Sequence, residues 1–446
     1  MARSVAPLNK DSSILIIGAL TANSESRGTF GISTAYHLAK RGYTNIVCID
    51  RHPWPSLDSA GHDLNKVMRT EYDEPLYTRL ALEALEAWRD PEWRDVFFET
   101  GRITTTTGDK KAESFLEKSY ENLKRAGKAQ NLELISGRDE IVKCVPQLKN
   151  AVGIENWKGL YNSLGGWVHA RKALEKWASQ SERMGVKFIS GLGGTMTGLE
   201  LDASGSFTGI RVASGGVLHA DHYILSTGAA SPQLLPELSQ QLWSKCWTLG
   251  HIQLTDSEAA EWKGVPVIDN YELGFMFEPD PDTKLIKICD NNPGYQYQKG
   301  TFIDENGKTT HYSIPRYSSD HPQDGIPHEA EVAIRKFINT VMPQFSDRPL
   351  LDARVCWCTD SPDAHWLIDR HPKHKDLLLA TGDSGHAFKM FPIIGTYIAD
   401  ALEGRETGLR KDWAYGGRVA KPASHRPDTE IKDLRDVMGL KTETKL

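Results

Sequence analysis

Hydrophobic and polar positions at the start of the chain predict a strand, a helix and a second strand. Residues 11–17 begin polar, become continuously apolar and end at Gly18, which is typical of a buried parallel strand. Residues 28–40 carry apolar side chains at helical spacing, and residues 45–50 form a second, β-branched run. The N-terminal segment therefore predicts a βαβ unit.

The remaining periodicities predict a β-rich middle and a second strand–helix pair near the C-terminus. Helical spacing recurs over 75–88, 108–127, 168–184, 327–342 and 388–402, and short strands are predicted within 187–212, 222–228, 247–290, 355–359 and 377–381. Residues 410–446 are polar without clear periodicity and predict a tail. These patterns favour an α/β fold in which a Rossmann-like, dinucleotide-binding domain is interleaved with a mixed α+β domain. The predicted boundaries are 1–87, 152–232 and 345–408 for the first domain, 88–151 and 233–344 for the second, and 409–446 for the tail.

Composition excludes several classes of protein. The 446 residues are 39% hydrophobic and 25% charged, which is enough for a large core and excludes a mainly disordered chain. A net charge of −6 lacks the basic excess of a nucleic-acid binder. The apolar runs are too short to cross a membrane, and six scattered cysteines do not resemble a secreted disulfide framework. We therefore expect an intracellular protein with reduced thiols.

A dinucleotide fingerprint lies where the first strand meets the first helix. If residues 20–27 are removed, Gly18, Gly28 and Gly31 take the spacing G-x-G-x-x-G. The glycines would form the tight turn, admit the pyrophosphate and pack the helix on the strand, and Asp50 would accept hydrogen bonds from a ribose. The alternative is a glycine turn that only packs the helix against the strand.

The polar segment 20–27 interrupts this turn. Long surface insertions are thermodynamically cheap, so the hypothesis is that the segment loops out. The alternative is a sequence artefact that weakens cofactor binding.

Three further stretches resemble one family of flavoenzymes. They are Arg354-Val-Cys-Trp-Cys-Thr-Asp-Ser-Pro-Asp363 with the following Leu-Ile-Asp-Arg-His-Pro, residues 379–389 (Leu-Ala-Thr-Gly-Asp-Ser-Gly-His-Ala-Phe-Lys), and residues 59–69 (Ser-Ala-Gly-His-Asp-Leu-Asn-Lys-Val-Met-Arg). Over residues 11–408 the chain is similar to the monomeric sarcosine oxidase family, which includes fungal amadoriases (fructosyl amino acid oxidases) and pipecolate or saccharopine oxidases. The resemblance implies a covalent FAD enzyme that oxidises a secondary amine and reduces O2 to hydrogen peroxide.

The motif match implies that Cys356 carries an 8α-S-cysteinyl bond to FAD. Cys358 would point to the same face of a strand, so position alone does not choose between the two thiols. A Cys-x-Cys metal pair and a pair of buried strand cysteines are the alternatives. No companion cluster of ligands supports the metal, and we expect none.

The glycine-rich turn around Gly382 and Gly385 would place the start of a helix against the flavin ring and stabilise its anionic reduced form. A simple loop-to-helix cap has the same sequence signature. No general base stands out, because His386 is as consistent with a structural hydrogen bond as with catalysis.

Four cations are matched to the family. The resemblance implies that Arg69 and Lys389 hold the substrate carboxylate, which suits an arginine fork beside an ammonium group. Lys66 takes the place of a cation close to the flavin. Lys287 matches the lysine that bonds through water to flavin N5 and would stabilise superoxide. The alternatives are solvated surface charges and, for Lys287, a buried ion pair.

Two departures from the amadoriase pattern favour an N-alkyl or cyclic α-amino acid over a fructosyl amino acid, which remains the alternative. Asn291 stands where amadoriases carry a sugar-reading glutamate, and Arg69 is retained as in sarcosine and pipecolate oxidases. An electron-transferring dehydrogenase and a flavin-free scaffold are further readings. We expect a monomer whose partners are an amino-acid substrate and O2, in the cytoplasm or, if Thr444-Lys445-Leu446 acts as an address, the peroxisome.

Overall fold

The structure is a computed structural model that describes residues 7–18, 28–291, 294–406, 408, 411–421 and 430–440. Within these ranges the helices are α1 (Thr29–Lys40), α2 (Pro75–Trp88), α3 (Lys110–Arg125), α4 (Gly137–Cys144), α5 (Ala170–Arg183), α6 (Ser231–Leu234), α7 (Asp256–Glu261), α8 (His328–Val341), α9 (Phe391–Glu403) and α10 (Leu434–Val437). The strands are β1 (Ile14–Ile17), β2 (Ile46–Ile49), β3 (Lys66–Arg69), β4 (Phe97–Phe98), β5 (Arg102–Thr106), β6 (Leu132–Ser136), β7 (Lys158–Asn162), β8 (Gly165–Val168), β9 (Lys187–Ile189), β10 (Met196–Leu201), β11 (Phe207–Val212), β12 (Val217–Leu218), β13 (His222–Leu225), β14 (Trp243–Gln253), β15 (Val267–Asn270), β16 (Gly274–Met276), β17 (Leu285–Cys289), β18 (Tyr295–Gln296), β19 (Gly300–Ile303), β20 (Thr309–Tyr312), β21 (Leu351–Asp360), β22 (Leu367–Arg370), β23 (Leu377–Thr381) and β24 (Lys432–Asp433).

The first sheet is the predicted dinucleotide-binding sheet. Its strand order is β22-β23-β13-β1-β2-β9, with every pair parallel except β22 with β23. The four residues of β1 are all buried, because parallel strands are covered on both faces. The α/β fold class predicted from the sequence is confirmed.

The second sheet carries most of the remaining strands. It runs β24-β18-β14-β17-β16-β15-β5-β7-β6, and the long strand β14 also pairs antiparallel with β21. Strands β7 and β21 therefore lie in this sheet, although the predicted boundaries assign residues 152–232 and 345–408 to the dinucleotide-binding domain. The division into domains stays a prediction.

Helix α9 crosses close to α1 above the first sheet. The Ser33 hydroxyl donates to the Phe391 carbonyl oxygen at 2.6 Å and accepts from the Gly395 amide at 2.9 Å. A Cβ atom on Gly395 would lie 2.1 Å from the Ser33 carbonyl oxygen, so only glycine allows this approach. The contact fixes where the C-terminal helix lies relative to the fingerprint helix.

The periodicity of the sequence predicted the bounds of several elements correctly. Helix α2 spans the predicted 75–88, and β23 spans the predicted 377–381. The helix predicted over 388–402 begins as a short 3-10 turn at Phe388–Met390 before α9. Within the described residues, the segment predicted as a polar tail contains β24 and α10, and β24 pairs with β18.

The described helices include none whose length and apolar character would suit it to crossing a membrane. Residues 19–27 and 441–446 lie outside the described residues, and with them the inserted segment 20–27 and the C-terminal tripeptide.

Replacing Gly395 with alanine tests the α1–α9 contact. The new methyl group would overlap the Ser33 backbone, so we expect the free energy of unfolding to fall by about 1–3 kcal/mol. Thermal or urea unfolding of G395A against the wild type measures this. Gly216→Ala is the matched control, because its Cβ would meet only ordinary contacts at 3.8 Å and 3.9 Å. Equal stability of the two variants would contradict the proposed close contact.

His37 gives the same helix pair a pH dependence. Its Nε2 donates to the Pro392 carbonyl at 2.9 Å, and burial lowers the pKa of His37 from 6.5 to about 4. The neutral ring stabilises the folded state above the unfolded value of 6.5, and this contribution is lost as pH falls towards about 4. We expect His37→Gln to lose less stability than the wild type over this range. Unfolding curves at several pH values measure it, with the exposed His311→Gln as control. Parallel curves for wild type and H37Q would rule out this role.

Candidate active site

A large cavity, the main cavity, lies where the two sheets meet. It has an empty volume of about 1260 Å³, open mouth included. Its wall includes Gly28, Ser59, Lys66, Trp247, Lys287, Cys356, Cys358, Gly385 and Lys389. These residues come from distant parts of the chain, so the fold brings the fingerprint, the cysteine motif and three of the predicted cations to one place.

The N-terminus of α1 forms one end of the main cavity. A Cβ atom on Gly28 would lie 2.3 Å from the Ser59 Oγ, so a larger residue here would force that hydroxyl to move. No acidic residue occurs in the first turn of α1, which leaves its amide groups suited to an anion.

The other fingerprint residues lie behind the cavity wall. Gly18 ends β1 and donates its amide to the Ile49 carbonyl at 2.9 Å, while Gly31 is buried within α1. Asp50 is fully buried after β2, and its Oδ1 accepts from the His52 amide at 2.9 Å. The strand, turn, helix and acidic residue therefore have the predicted order in space.

Both cysteines of β21 line the main cavity, as their spacing predicted. The Cys356 Sγ lies 3.8 Å from the Lys66 Nζ, whereas the Cys358 Sγ lies 3.8 Å from the Asp360 Oδ1. The two sulfurs thus have charged neighbours of opposite sign, a lysine for Cys356 and an aspartate for Cys358. Among the described residues, the one group with metal-ligand spacing lies elsewhere, at His169, Asp280 and Asp282.

A single carboxylate, Asp63, contacts three cations beside the main cavity. Its Oδ2 accepts from the Lys66 Nζ at 2.8 Å and also from the Lys287 Nζ, and its Oδ1 lies 3.3 Å from the Arg354 Nη2. Burial favours the neutral acid, but these cations outweigh it and hold the pKa of Asp63 well below its ordinary range. Lys287 also donates to the Asn65 carbonyl at 2.9 Å, so it is both a buried ion pair and a cavity residue.

A second cavity, the side cavity, adjoins the main cavity and shares Asn291 and Lys389 with it. Arg69 and Lys389 both line it, and both lie on the ring of Tyr72, at 4.2 Å and 5.8 Å from its centroid. Arg69 donates to the carbonyl oxygen of Glu71 and Lys389 to that of His386, so neither hydrogen bond neutralises a charge. The side cavity is therefore suited to an anionic group.

The opposite wall of the side cavity is an ion-pair network. Arg102 donates to Asp269 and lies 3.5 Å from the buried Glu71 carboxylate. Asn291 donates to the Asp269 Oδ1 at 3.0 Å and to the Asn270 carbonyl at 3.1 Å. These two hydrogen bonds fix the neutral side chain of Asn291 where the two cavities adjoin.

The glycine-rich turn leads from β23 into α9. Gly382 and Gly385 have φ values of +74° and +68°, which favour glycine, and Gly385 lines both cavities. His386 donates through Nε2 to the Ala364 carbonyl at 2.8 Å and accepts through Nδ1 from the Tyr72 hydroxyl at 3.3 Å. Both ring nitrogens have partners, so the structure favours a positioning role for His386.

Sequence reasoning did not identify the buried carboxylates of this site or two of the arginines that pair with them. Asp63 lies within the quoted stretch 59–69 and Arg354 opens the cysteine motif, yet neither was assigned a role. Its own stretch offered a local signal for Asp63, because Lys66 and Arg69 follow it within six residues. Nothing local marked Arg102 or Asp269, because their pairing spans 167 residues.

A model of the FAD-dependent oxidoreductase (DAO) family matches residues 27–401. The chain belongs to this family. It is 35% identical over 396 residues to L-saccharopine oxidase of Schizosaccharomyces pombe, covering 86% of this chain and 90% of that one. It is 25% identical over 403 residues to monomeric sarcosine oxidase of an Arthrobacter species, covering 88% and 92%. The family resemblance inferred from the motifs is confirmed.

A solved structure supports the same assignment. The fructosyl peptide oxidase from E. terrenum superposes with a TM-score of 0.88 at 36% identity, over 98% of this chain and 99% of that one. The protein is an FAD-dependent oxidoreductase, and its residues fit the cofactor. The close approach of Gly28 to Ser59 and the anion-suited start of α1 lie at the same cavity as Cys356.

Proposed function

We propose that the protein is an oxidase of secondary amines that carry a carboxylate, namely N-alkyl or cyclic α-amino acids. Amine and O2 would give an imine and hydrogen peroxide, and hydrolysis of the imine would release a carbonyl compound and an amine. The observation that carries the proposal is the pair Arg69 and Lys389 in a side cavity that adjoins the Cys356 cavity. Saccharopine and sarcosine, the substrates named for two relatives, are both secondary amines with a carboxylate.

The substrate carboxylate would bind between Arg69 and Lys389. The Arg69 guanidinium and the Lys389 ammonium lie over the same tyrosine ring, at 4.2 Å and 5.8 Å from its centroid. A carboxylate there would receive charge-assisted hydrogen bonds and leave the amine end of the substrate towards the main cavity. Positioning of this kind contributes to catalysis by holding the reacting atoms close together.

FAD would occupy the main cavity, with its phosphates at the start of α1 and a covalent 8α-S-cysteinyl link at Cys356. When bound, it supplies the electron acceptor for amine oxidation and passes the electrons to O2. Lys66, 3.8 Å from the thiol, would favour the thiolate needed for the link. Lys287 would stabilise the negative charge that develops as O2 is reduced, because its charge is fixed and only 2% exposed.

Fructosyl amino acids are the second candidate, favoured by the likeness to fructosyl peptide oxidase. Two features of Asn291 argue against them: its side chain is neutral, and its amide nitrogen already donates hydrogen bonds to Asp269 and Asn270. We therefore place N-alkyl and cyclic α-amino acids first. We further infer a monomer in the cytoplasm or peroxisome, the latter depending on Thr444-Lys445-Leu446.

Release of hydrogen peroxide tests the proposed activity. The purified protein should produce it in air from N-methyl amino acids, pipecolate or saccharopine, and more slowly from fructosyl amino acids. Turnover only under nitrogen with a dye would make the protein a dehydrogenase. Colourless protein after addition of FAD would favour the flavin-free scaffold.

Arg69→Met tests the carboxylate site. Losing the charge-assisted hydrogen bonds should raise KM roughly 10- to 100-fold, with a smaller change in kcat. The exposed Arg405→Met is the control, since its partners Asp400 and Glu403 lie on α9. An unchanged KM in R69M would remove Arg69 from the substrate site.

Cys356→Ala tests the covalent link. Acid precipitation of the wild type should leave the yellow colour in the pellet, whereas the variant should release it to the supernatant. Cys358→Ala is the matched control, because it removes a thiol from the same face of the same strand. Loss of covalent flavin in C358A but not in C356A would reassign the attachment.

A further inference from the structure

One acidic side chain contacts three cations beside the main cavity, and Arg354 has a second carboxylate partner in Asp352. Asp63 is 1% exposed, and its two oxygens contact Lys287, Lys66 and Arg354. The cations come from three separate strands, β17, β3 and β21. Among the hydrogen bonds and ion pairs described above, Asp63 is the one partner that Lys66, Lys287 and Arg354 have in common.

Charge repulsion makes this arrangement depend on the carboxylate. Three cations within contact of one point repel each other, and a buried cation without a counter-charge is strongly disfavoured. Lys287 has a second contact, the Asn65 carbonyl, but that oxygen carries no net charge. Without Asp63, the Lys287 ammonium would lose its only charged acceptor among the contacts described for it.

We propose that Asp63 is a positioning residue that holds the Lys287 and Lys66 ammonium groups on the wall of the flavin cavity and joins them to Arg354. The proposal rests on the proposed function for the roles of the two lysines. Through Lys287, Asp63 supports the reaction with O2. It also supports attachment of the flavin, through Lys66, which lies beside the Cys356 sulfur, and through Arg354, which precedes Cys356 by two residues on β21.

This role separates the two halves of the catalytic cycle. Asp63 contacts Lys66, Lys287 and Arg354, none of which belongs to the proposed carboxylate site. Of that site, Arg69 lines the side cavity and Lys389 lines both cavities. Its loss should therefore affect reoxidation more than reduction by substrate. A residue that only stabilised the fold would affect both alike.

Asp63→Asn is the first variant, since it keeps the shape and removes the charge. We expect reoxidation of the flavin by O2 in stopped flow to slow by about 10²-fold, because Lys287 without its counter-ion would no longer be held where it stabilises reduced oxygen. Reduction by substrate under nitrogen should change much less. The acid-stable fraction of flavin should also fall, and Asp63→Glu should restore part of both. The control is Asp282→Asn, which removes an exposed carboxylate paired with Lys172.

A double-mutant cycle shows whether Asp63 acts through Lys287. Lys287→Met should slow reoxidation at least as much as D63N, and adding D63N to it should cost little more. Fully additive losses, or equal slowing of reduction and reoxidation in D63N, would overturn the proposal. So would an unchanged acid-stable fraction together with unchanged reoxidation.

The double variant also covers the case in which D63N does not fold. Because D63N/K287M removes one charge of each sign, we expect it to fold and bind flavin like K287M. Failure of this variant as well would show that Asp63 acts on the fold and would overturn the proposal. Failure of the proposed function has a different signature: wild-type flavin that no amine reduces. The acid-stable fraction needs no substrate and still tests Asp63 in that case.

Discussion

The buried carboxylate of Asp63 is the constraint on which the arrangement of the main cavity depends. Moving a charge from water into a protein interior costs several kcal/mol unless it is paired. Here one anion pairs with Lys66, Lys287 and Arg354, so none of the four charges is buried alone. Because each cation stands on a different strand, satisfying the anion also sets where those strands lie. The cavity wall and its electrostatics are therefore fixed by the same contact.

Charge is distributed differently in the side cavity. Arg102 is paired with two carboxylates, Asp269 and Glu71, so its positive charge is fully offset on that wall. Arg69 and Lys389 instead donate to backbone carbonyl oxygens and lie on an aromatic ring. Both cations line the side cavity, where they would attract an anion. Around Asp63, three positive charges meet one buried carboxylate, so a net positive charge remains there as well.

Short-range features of the sequence gave reliable predictions. The periodicity of α2, the apolar run of β23 and the strand–turn–helix around Gly18 and Gly28 each depend on neighbours within a few turns. The C-terminal strand β24 was not predicted, because the contact that forms it is not local. Strand β24 has no periodicity of its own and forms because it pairs with β18, well over one hundred residues earlier.

The candidate site divides in the same way. Motif spacing located Cys356, Lys287 and the glycine turn, and the family resemblance gave them roles. It did not locate Asp63 as their common partner, nor the Arg102–Asp269 pair, since each is a contact between residues that are far apart in the chain.

The sequence by itself determined the fold class, the family and the identity of the cysteine and glycine motifs, because these depend on local spacing and residue type. The tertiary structure decided which charges are compensated and which still face a cavity. Electrostatic pairing depends on distance in space and on burial, and neither can be computed from positions along a chain.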